Sequence, residues 1–178
     1  MYELFVLGEL LDQPLHGYLL REIINLAFGA ERQISWGSLY PLIRRLEEGG
    51  FISHAADASG KARRKSYAIT EKGRQRFFNL MLRPEAFSSD YHDMFVVKLA
   101  NFDRISPEQR VGILVHYQSY LEQKRDRLEE SERFVARLEG IPEAERGLIL
   151  RGIGRNRELN RAERTWLDGQ LADFSEDL

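Results

Sequence analysis

The run SWGSLYPLIRRLEEGGFI, residues 35–52, constrains the fold of this chain more than any other segment. Its apolar residues follow the i, i+3, i+4, i+7 spacing of an amphipathic helix: Leu39, Leu42, Ile43 and Leu46. Ser35 or Ser38 is suited to cap the first turn, and Pro41 requires a place in or near that opening turn. The double glycine at 49–50 stops the helix. The run therefore predicts one short helix with a buried stripe and an aromatic, basic outer surface.

Two helices precede this one, and a hairpin and a fourth helix follow it. Leucines at helical spacing mark a helix before Pro14, and the segment 18–28 forms a second helix that Gly29 ends. FISHA (51–55) and KSYAI (65–69) have the composition of two short strands. Thr70 then caps a helix that runs to about residue 82. Three helices followed by a basic hairpin predict a winged-helix arrangement.

The chain beyond residue 91 has a helical pattern throughout. Ser106, Pro107 and Gln109 form a capping-box sequence at the start of a long helix. Apolar residues then recur every seven positions in this helix and again in the last one, which predicts an antiparallel helical hairpin. The two stripes have the spacing to close on each other or on a second chain, and the second chain is favoured because two helices alone bury little surface. The expected dimerisation residues are Leu114, Leu121, Leu128, Val135, Leu159, Trp166, Leu167 and Leu171.

The predicted fold class is mainly α with a small β-hairpin. Residues 1–83 are expected to form a winged helix-turn-helix DNA-binding domain and residues 84–91 a connector. Residues 92–178 are expected to form a helical, antiparallel coiled-coil-like dimerisation domain.

Charge is unevenly distributed along the chain. The net charge is −2, yet residues 35–83 hold ten Lys and Arg against four Asp and Glu, a local charge of +6. A basic segment in an acidic protein is a candidate footprint for a polyanion, although a solvated basic face has the same composition. The chain contains no cysteine, which excludes disulfides and cysteine-based metal or catalytic sites. No apolar run is long enough to span a membrane and the N-terminus lacks a signal-peptide pattern, so a cytoplasmic location is expected.

The outer face of the helix after Ser35 has the chemistry of a DNA-reading helix. Hydroxyl and guanidinium groups contact phosphates, and arginine also reads guanine, which makes candidates of Ser35, Ser38, Tyr40 and Arg44. The cations of the hairpin are expected to contact the DNA backbone or minor groove: Lys61, Arg63, Arg64 and Lys65. Structural roles compete with these assignments. One serine is expected only to cap the helix, Tyr40 has the alternative of packing on the hairpin, and Arg44 or Arg45 has the alternative of pairing with Glu48. Trp36 is interpreted as a packing residue.

These segments resemble the PadR family of bacterial transcriptional regulators, in the longer variety that includes virulence-gene activators. The resemblance rests on LHGYLLREI (15–23), the run at 35–52, GKARRKSYAITEKG (60–73), YHDMFVVKLANF (91–102) and NRAERTWLDGQL (160–171). It implies a winged helix on DNA, a helical domain that dimerises, and repression as the commoner mode, with activation in some longer members. It also implies that Tyr18 contacts a phosphate and that small aromatic compounds act as effectors. Tyr117, Tyr120 and Trp166 are candidates to line such a pocket, although a place in the dimer core is favoured for them.

Enzymatic function is not expected. The four histidines are scattered without metal-ligand spacing, and GIGRN near Gly152 lacks the strand and spacing of a dinucleotide-binding loop. No catalytic residue, metal or cofactor is predicted. The partners expected are double-stranded DNA, a second copy of the chain and a small aromatic effector. A winged-helix module that binds protein rather than DNA is the second hypothesis. The cation row argues against it, because protein interfaces favour apolar and aromatic anchors.

Overall fold

The computed structural model describes residues 1–29, 33–55 and 65–176. The chain divides into two compact units, Met1–Asn101 and Phe102–Leu178. The first unit contains every strand of the described chain, and the second is built from helices. The functional boundaries expected from the sequence stay a prediction, while the contacts group the segment 84–101 with the first unit.

The first unit contains five helices and three short strands among its described residues. Its helices and strands are α1 (Tyr2–Glu9), β1 (Leu15–His16), α2 (Gly17–Phe28), α3 (Trp36–Glu48), β2 (Ile52–Ala55), β3 (Ser66–Ile69), α4 (Glu71–Leu82) and α5 (Tyr91–Leu99). Apolar residues from all three N-terminal helices, β2 and α4 meet in one core. The most completely buried of them are Leu4, Val6, Leu7, Leu20, Ile24, Leu39, Ile43, Ile52, Phe77 and Met81. The winged-helix fold predicted from the sequence is confirmed.

The sheet has three antiparallel strands in the order β1-β3-β2. The central strand pairs with β2 from Ile52 opposite Ile69 to Ala55 opposite Ser66. It also pairs with β1, where Leu15 lies opposite Tyr67. The sequence predicted a hairpin of two strands, whereas the sheet contains a third strand, β1. A two-residue strand has no pattern of its own and forms only because β3 supplies partners for its backbone.

Helix α3 ends in a Schellman motif at the double glycine. Gly50 adopts a positive φ of 69°, which only glycine takes without strain. The Phe51 amide then donates to the Leu46 carbonyl over 2.9 Å, and the Gly50 amide donates to the Glu47 carbonyl over 2.9 Å. This turn sends the chain directly into β2, so the end of α3 fixes the start of the hairpin.

Helix α4 begins where the predicted cap lies. The Thr70 Oγ1 accepts a hydrogen bond from the Gly73 amide over 3.1 Å and lies 2.7 Å from the Gly50 carbonyl oxygen, to which it donates. The Lys72 ammonium donates to the Gly49 carbonyl over 2.8 Å. These contacts tie the start of α4 to the end of α3 and so hold the two strands between them.

The second unit is a hairpin of two long helices. A 3-10 turn (Phe102–Arg104) leads into α6 (Pro107–Arg137), and α7 (Glu143–Glu176) returns against it. The capping box predicted at Ser106 is present, because its side chain and that of Gln109 each accept the other's backbone amide. The buried Asn160 amide donates to the Leu121 carbonyl over 3.1 Å, which fixes one helix against the other in a single register.

Candidate nucleic-acid interface

Helix α3 presents its polar residues outward because its apolar stripe is completely covered. Ser35 is the N-cap and accepts a hydrogen bond from the Ser38 amide over 3.2 Å, so the capping role predicted for one serine falls to Ser35. Pro41 is the sixth residue of α3, further from the opening turn than the sequence indicated. Proline has no amide hydrogen, so the exposed Gly37 carbonyl four residues earlier lacks its helical partner.

One groove runs along the side of α3 that faces the hairpin. It has a volume of about 250 Å³, and Tyr40, Arg44 and Lys65 are among its lining residues. All three residues are exposed, and Tyr40 has 54% of its surface accessible. Within the described residues Arg44 forms no ion pair, so the alternative in which it binds Glu48 receives no support. This side of α3 holds three of the predicted DNA contacts.

A second groove lies on the opposite side of α3. Ser38 and Arg45 line it together with Glu3 and Arg76 of the neighbouring helices. The Arg76 guanidinium donates to the Glu3 carboxylate over 2.8 Å, an interaction that raises the pKa of Arg76. Arg45, like Arg44, has no acidic partner in the part of the chain that the structure describes. The two adjacent arginines therefore point to different sides of one helix.

Trp36 is the centre of an aromatic row that the sequence analysis did not assign to the site. Its ring stacks on Tyr40 with centroids 5.0 Å apart and planes 26° apart, and lies 6.2 Å from the ring of Tyr18. The Arg21 guanidinium lies 5.1 Å from the centre of the Trp36 ring. Tyr18 is 55% exposed at the start of α2. The spacing Trp36–Tyr40, four residues apart on a helix, was the available signal.

The hairpin is fastened to α3 by an exposed polar contact. The His54 Nε2 atom of β2 lies 2.8 Å from the Glu47 carboxylate of α3, and the His54 ring packs 5.3 Å from that of Tyr67. Burial raises the pKa of the Tyr67 hydroxyl, and the nearby Glu47 carboxylate and Tyr40 raise it further. Tyr67 therefore stays a protonated hydrogen-bond donor at the base of the grooves.

Three of the four cations predicted in the hairpin lie outside the described residues: Lys61, Arg63 and Arg64. Lys65, immediately before β3, is described and exposed. The structure therefore brings Tyr18, Tyr40, Arg44 and Lys65 to the surface of one unit, and the remaining cations stay a prediction.

The predicted dimerisation residues fall into two groups. Leu114, Leu121, Val135 and Leu167 are buried within the helical hairpin of one chain. Leu128 and Leu171 are half-buried, whereas Leu159 and Trp166 are 51% and 40% exposed. The heptad stripes thus close largely on each other, and the surface left for a second chain contains Leu159 and Trp166.

The two tyrosines considered for an effector pocket lie in this same hairpin. Tyr117 is completely buried and its hydroxyl donates to the Glu163 carboxylate. Its ring stacks on that of Tyr120 with centroids 5.6 Å apart. Burial raises the pKa of Tyr120, with a further increase from the Glu163 carboxylate. The pair packs the hairpin interior.

The described residues contain neither a metal-binding cluster nor a membrane-spanning helix. No group of three or more His, Cys, Asp or Glu residues with the geometry to hold a metal ion occurs among them. None of their helices combines the length and apolar character needed to cross a bilayer.

The helix order, the three-stranded sheet and the exposed third helix define a winged-helix fold in the first unit. Residues 6–79 match the model of the "Transcriptional regulator PadR-like family". This match covers less than half of the chain and supports, over those residues, the family resemblance predicted from the sequence.

Individual relatives share only a low sequence identity with this chain. The chain is 26% identical over 94 residues to the "Negative transcriptional regulator PadR" of Bacillus subtilis (strain 168), a match that covers 52% of each protein. It therefore spans about half the length of the curated relative that it matches. It is also similar to two solved structures of Bacillus subtilis PadR. The complex with operator DNA is 20% identical with 96% of each chain covered and a TM-score of 0.44. The complex with p-coumaric acid is 20% identical with 97% of this chain and 98% of that chain covered, and has a TM-score of 0.43.

Proposed function

We propose that the protein regulates transcription by binding double-stranded DNA in a sequence-specific way as a homodimer. The observation that carries this proposal is the exposed side of α3 and its surroundings. Tyr18, Tyr40, Arg44 and Lys65 lie on the surface of one unit while the apolar stripe of α3 is buried. Hydroxyl and cationic groups around an exposed helix are the groups that contact phosphates and base edges in a major groove.

Within this proposal the residues divide into reading and positioning groups. Arg44 lies two turns into α3 without a partner among the described residues, so its guanidinium is free to take both acceptors of a guanine. Tyr18, Tyr40 and Ser38 offer hydroxyls to phosphates. Ser35 caps α3 and so lies at the helix N-terminus, where backbone amides also favour a phosphate. The hairpin cations follow the backbone or minor groove: Lys61, Arg63, Arg64 and Lys65.

The homodimer explains how one short helix would achieve specificity. Two copies of α3 related by a two-fold axis would read an inverted repeat whose half-sites lie about one helical turn, or a multiple of it, apart. Leu159 and Trp166 remain exposed on the helical hairpin and supply apolar surface for such an assembly.

Repression by steric block is the proposed mode, supported by the similarity to the negative transcriptional regulator of Bacillus subtilis. Activation is the alternative that the longer members of the family suggest. We also propose that a small aromatic compound acts as the effector of this regulator, because the family resemblance implies this ligand class.

The first test is a gel shift with genomic fragments, beginning with the region upstream of the protein's own gene. A shifted band that survives excess random DNA is the expected result. If no fragment shifts at any salt concentration while a partner protein is captured through the same face, the protein-interaction module would replace this proposal.

The second test separates base reading from phosphate contact. Arg44→Ala is expected to weaken binding to the specific fragment by about 1–3 kcal/mol and binding to random DNA much less. Arg63→Ala, in the hairpin, is expected to weaken both DNAs alike and to lower the salt slope by about one unit. Arg45→Ala is the matched control, because Arg45 is the adjacent arginine on the other side of α3. Equal losses on both DNAs for Arg44→Ala would make Arg44 a phosphate contact only.

A further inference from the structure

A small cavity lined by arginines lies between α6 and α7 in the helical hairpin. Its volume is about 130 Å³, below the range of about 300–1,000 Å³ that is typical of sites for drug-sized ligands. A cavity of this size suits a small ion. We name it the arginine pocket, and its lining residues are Arg125, Glu129, Arg157, Asn160, Arg161 and Arg164.

The spacing of the arginines along α7 forms one wall of the arginine pocket. Arg157, Arg161 and Arg164 follow one another at intervals of four and three residues, so their side chains project from one side of the helix. Arg125 and Glu129 are four residues apart on α6 and form the other wall. The pocket is therefore built from two helices whose packing brings the guanidinium groups together.

The arginine pocket does not coincide with the apolar surface assigned to a second chain. Leu159 and Trp166 each follow a pocket arginine, Arg157 and Arg164, by two residues. A step of two residues turns an α-helix by about 200°. The exposed apolar side chains therefore lie on the opposite side of α7, and a dimer formed through them leaves the pocket accessible.

Guanidinium groups outnumber carboxylates in the lining of the arginine pocket. Among the described residues that line it, Glu129 is the one acidic residue, and its Oε1 atom lies 3.9 Å from the Arg125 Nε atom. Four arginines less one glutamate give the lining a formal charge of +3. Like charges held this close repel one another unless an anion lies between them. The lining therefore attracts an anion.

Three of the four arginines are oriented by carboxylates that lie outside the lining. These carboxylates offset part of the charge, so recognition depends on the N–H donors that the ion pairs leave unused. The pairs of Arg157 and Arg161 each occupy only Nη1, which leaves Nε and Nη2 without a partner in the described part of the chain. The three pairs are Arg125 with Asp126, Arg157 with Glu132, and Arg161 with Glu158.

Arg164 is the lining arginine that lacks an acidic partner among the described residues. Its side chain is half-buried at the pocket wall. A guanidinium carries five N–H donors and a permanent charge, and withdrawing it from water is unfavourable unless an anion pairs with it. The unpaired Arg164 is the observation that assigns a negatively charged ligand to this pocket.

We propose that the arginine pocket binds a phosphate group, as inorganic phosphate or as a small phosphate monoester. A guanidinium presents two parallel N–H donors that match two oxygens of a phosphate. Arg164 binds one pair of oxygens, and the unused donors of Arg157 and Arg161 bind the others. A carboxylate has only two oxygens and would leave more of these donors unsatisfied. The ligand holds α7 at a site that is separate from the first unit and from its proposed DNA contacts.

Binding is measured by equilibrium dialysis of the whole chain against radiolabelled orthophosphate. The ionic strength is kept constant with chloride, because salt screens exposed charges. Arg164→Gln is expected to lower the affinity about tenfold, and Arg164→Lys several-fold, because lysine keeps the charge but not the paired donors. Arg151→Gln is the matched control. Arg151 is an exposed arginine of the same helix that does not line the pocket, so its substitution should leave the affinity unchanged.

Glu129→Gln gives a test in the opposite direction. It removes the carboxylate that repels the ligand, so the affinity for orthophosphate is expected to rise several-fold. Arg161→Gln is a second variant with an expected loss, and it keeps the test decisive if circular dichroism shows that Arg164→Gln is unfolded. Absence of bound orthophosphate, or equal affinity in the pocket variants and in Arg151→Gln, would overturn the proposal.

Unlabelled competitors then identify the source of the phosphate group. Glycerol 3-phosphate that displaces the label at lower concentration than orthophosphate assigns the pocket to an organic phosphate, and the reverse order assigns it to inorganic phosphate. Acetate is expected to compete weakly, and displacement by acetate at the same concentration as orthophosphate would refute recognition of phosphate. Equally effective displacement by a short DNA duplex would make these arginines part of a nucleic-acid surface and would also refute the proposal.

Discussion

Gly73 is the position where a single methyl group should disturb the winged helix most. It lies in the first turn of α4, where that helix crosses the entry to β2. A Cβ atom there would lie 2.0 Å from the Phe51 carbonyl oxygen and 2.7 Å from the Ile69 side chain. Ordinary contact begins near 3.4 Å, so α4 and the backbone at Phe51 would have to separate by about 1.4 Å, the difference between 3.4 and 2.0.

The cost of this separation follows from what holds the two segments together. The Thr70 amide donates to the Phe51 carbonyl over 3.0 Å, and the Thr70 hydroxyl lies 2.7 Å from the Gly50 carbonyl oxygen. A shift of this size breaks at least one of these bonds, at about 1–2 kcal/mol, and overpacking adds about 1–3 kcal/mol. Gly73→Ala should therefore lower the free energy of unfolding by about 2–5 kcal/mol, a large share of a typical domain's stability.

Urea denaturation followed by circular dichroism measures this loss. For a slope of about 2 kcal/mol per molar urea, the midpoint of the transition should fall by about 1–2.5 M. Gly37→Ala is the matched control, because Gly37 is also near the start of a helix of the same unit. A Cβ atom there would meet only the Ser35 hydroxyl oxygen at 3.6 Å. The control should be neutral or stabilising by up to about 1 kcal/mol. A loss below about 1 kcal/mol for Gly73→Ala would refute the close approach of α4 to the strand.

Three further predictions concern assembly, capping and a buried charge. Replacing Leu159 and Trp166 with glutamate should shift the protein toward monomer in analytical ultracentrifugation while the helical content is retained; an unchanged sedimentation coefficient would exclude this surface as the interface. Ser106→Ala should destabilise the chain by about 1 kcal/mol through loss of the α6 cap, whereas Ser119→Ala, in the middle of the same helix, should cost nothing measurable in urea. Burial lowers the pKa of Lys98 below its usual 10.5, so the unfolded chain binds the proton more tightly and stability should rise as the pH increases toward 10.5. Unfolding measured at about pH 7 and pH 10 should show this rise in the wild type and a smaller one in Lys98→Met.

Local signals in the sequence were sufficient to place most helices. The caps at Ser35, Thr70 and Ser106 and the stop at Gly50 act through the backbone groups of their own turns, so they are legible without knowledge of the tertiary structure. The buried stripe of α3 follows in the same way from its spacing. These signals determined the order of helices and hairpin, and that order leaves few arrangements besides a winged helix.

The aromatic row of Tyr18, Trp36 and Tyr40 and the third strand were decided by tertiary structure. Tyr18 and Trp36 belong to different helices, and only the crossing of α2 and α3 brings their rings together. Strand β1 consists of two residues whose pairing depends on β3, more than 45 positions later in the chain. Contacts between segments that are distant in the chain produce no local sequence pattern, such as a hydrophobic periodicity or a capping residue, from which they could be predicted.

The heptad stripes show the same division within the helical hairpin. Their seven-residue spacing determined that α6 and α7 each have one apolar face. It could not determine which partner covers that face, because leucines packed against the same chain and against a second chain have the same spacing. The fold resolves this for Leu114, Leu121 and Leu167, which are covered by their own hairpin, and leaves Leu159 and Trp166 exposed. The sequence thus determined where apolar surface lies, and the packing of α6 on α7 decided how much of it remains for another molecule.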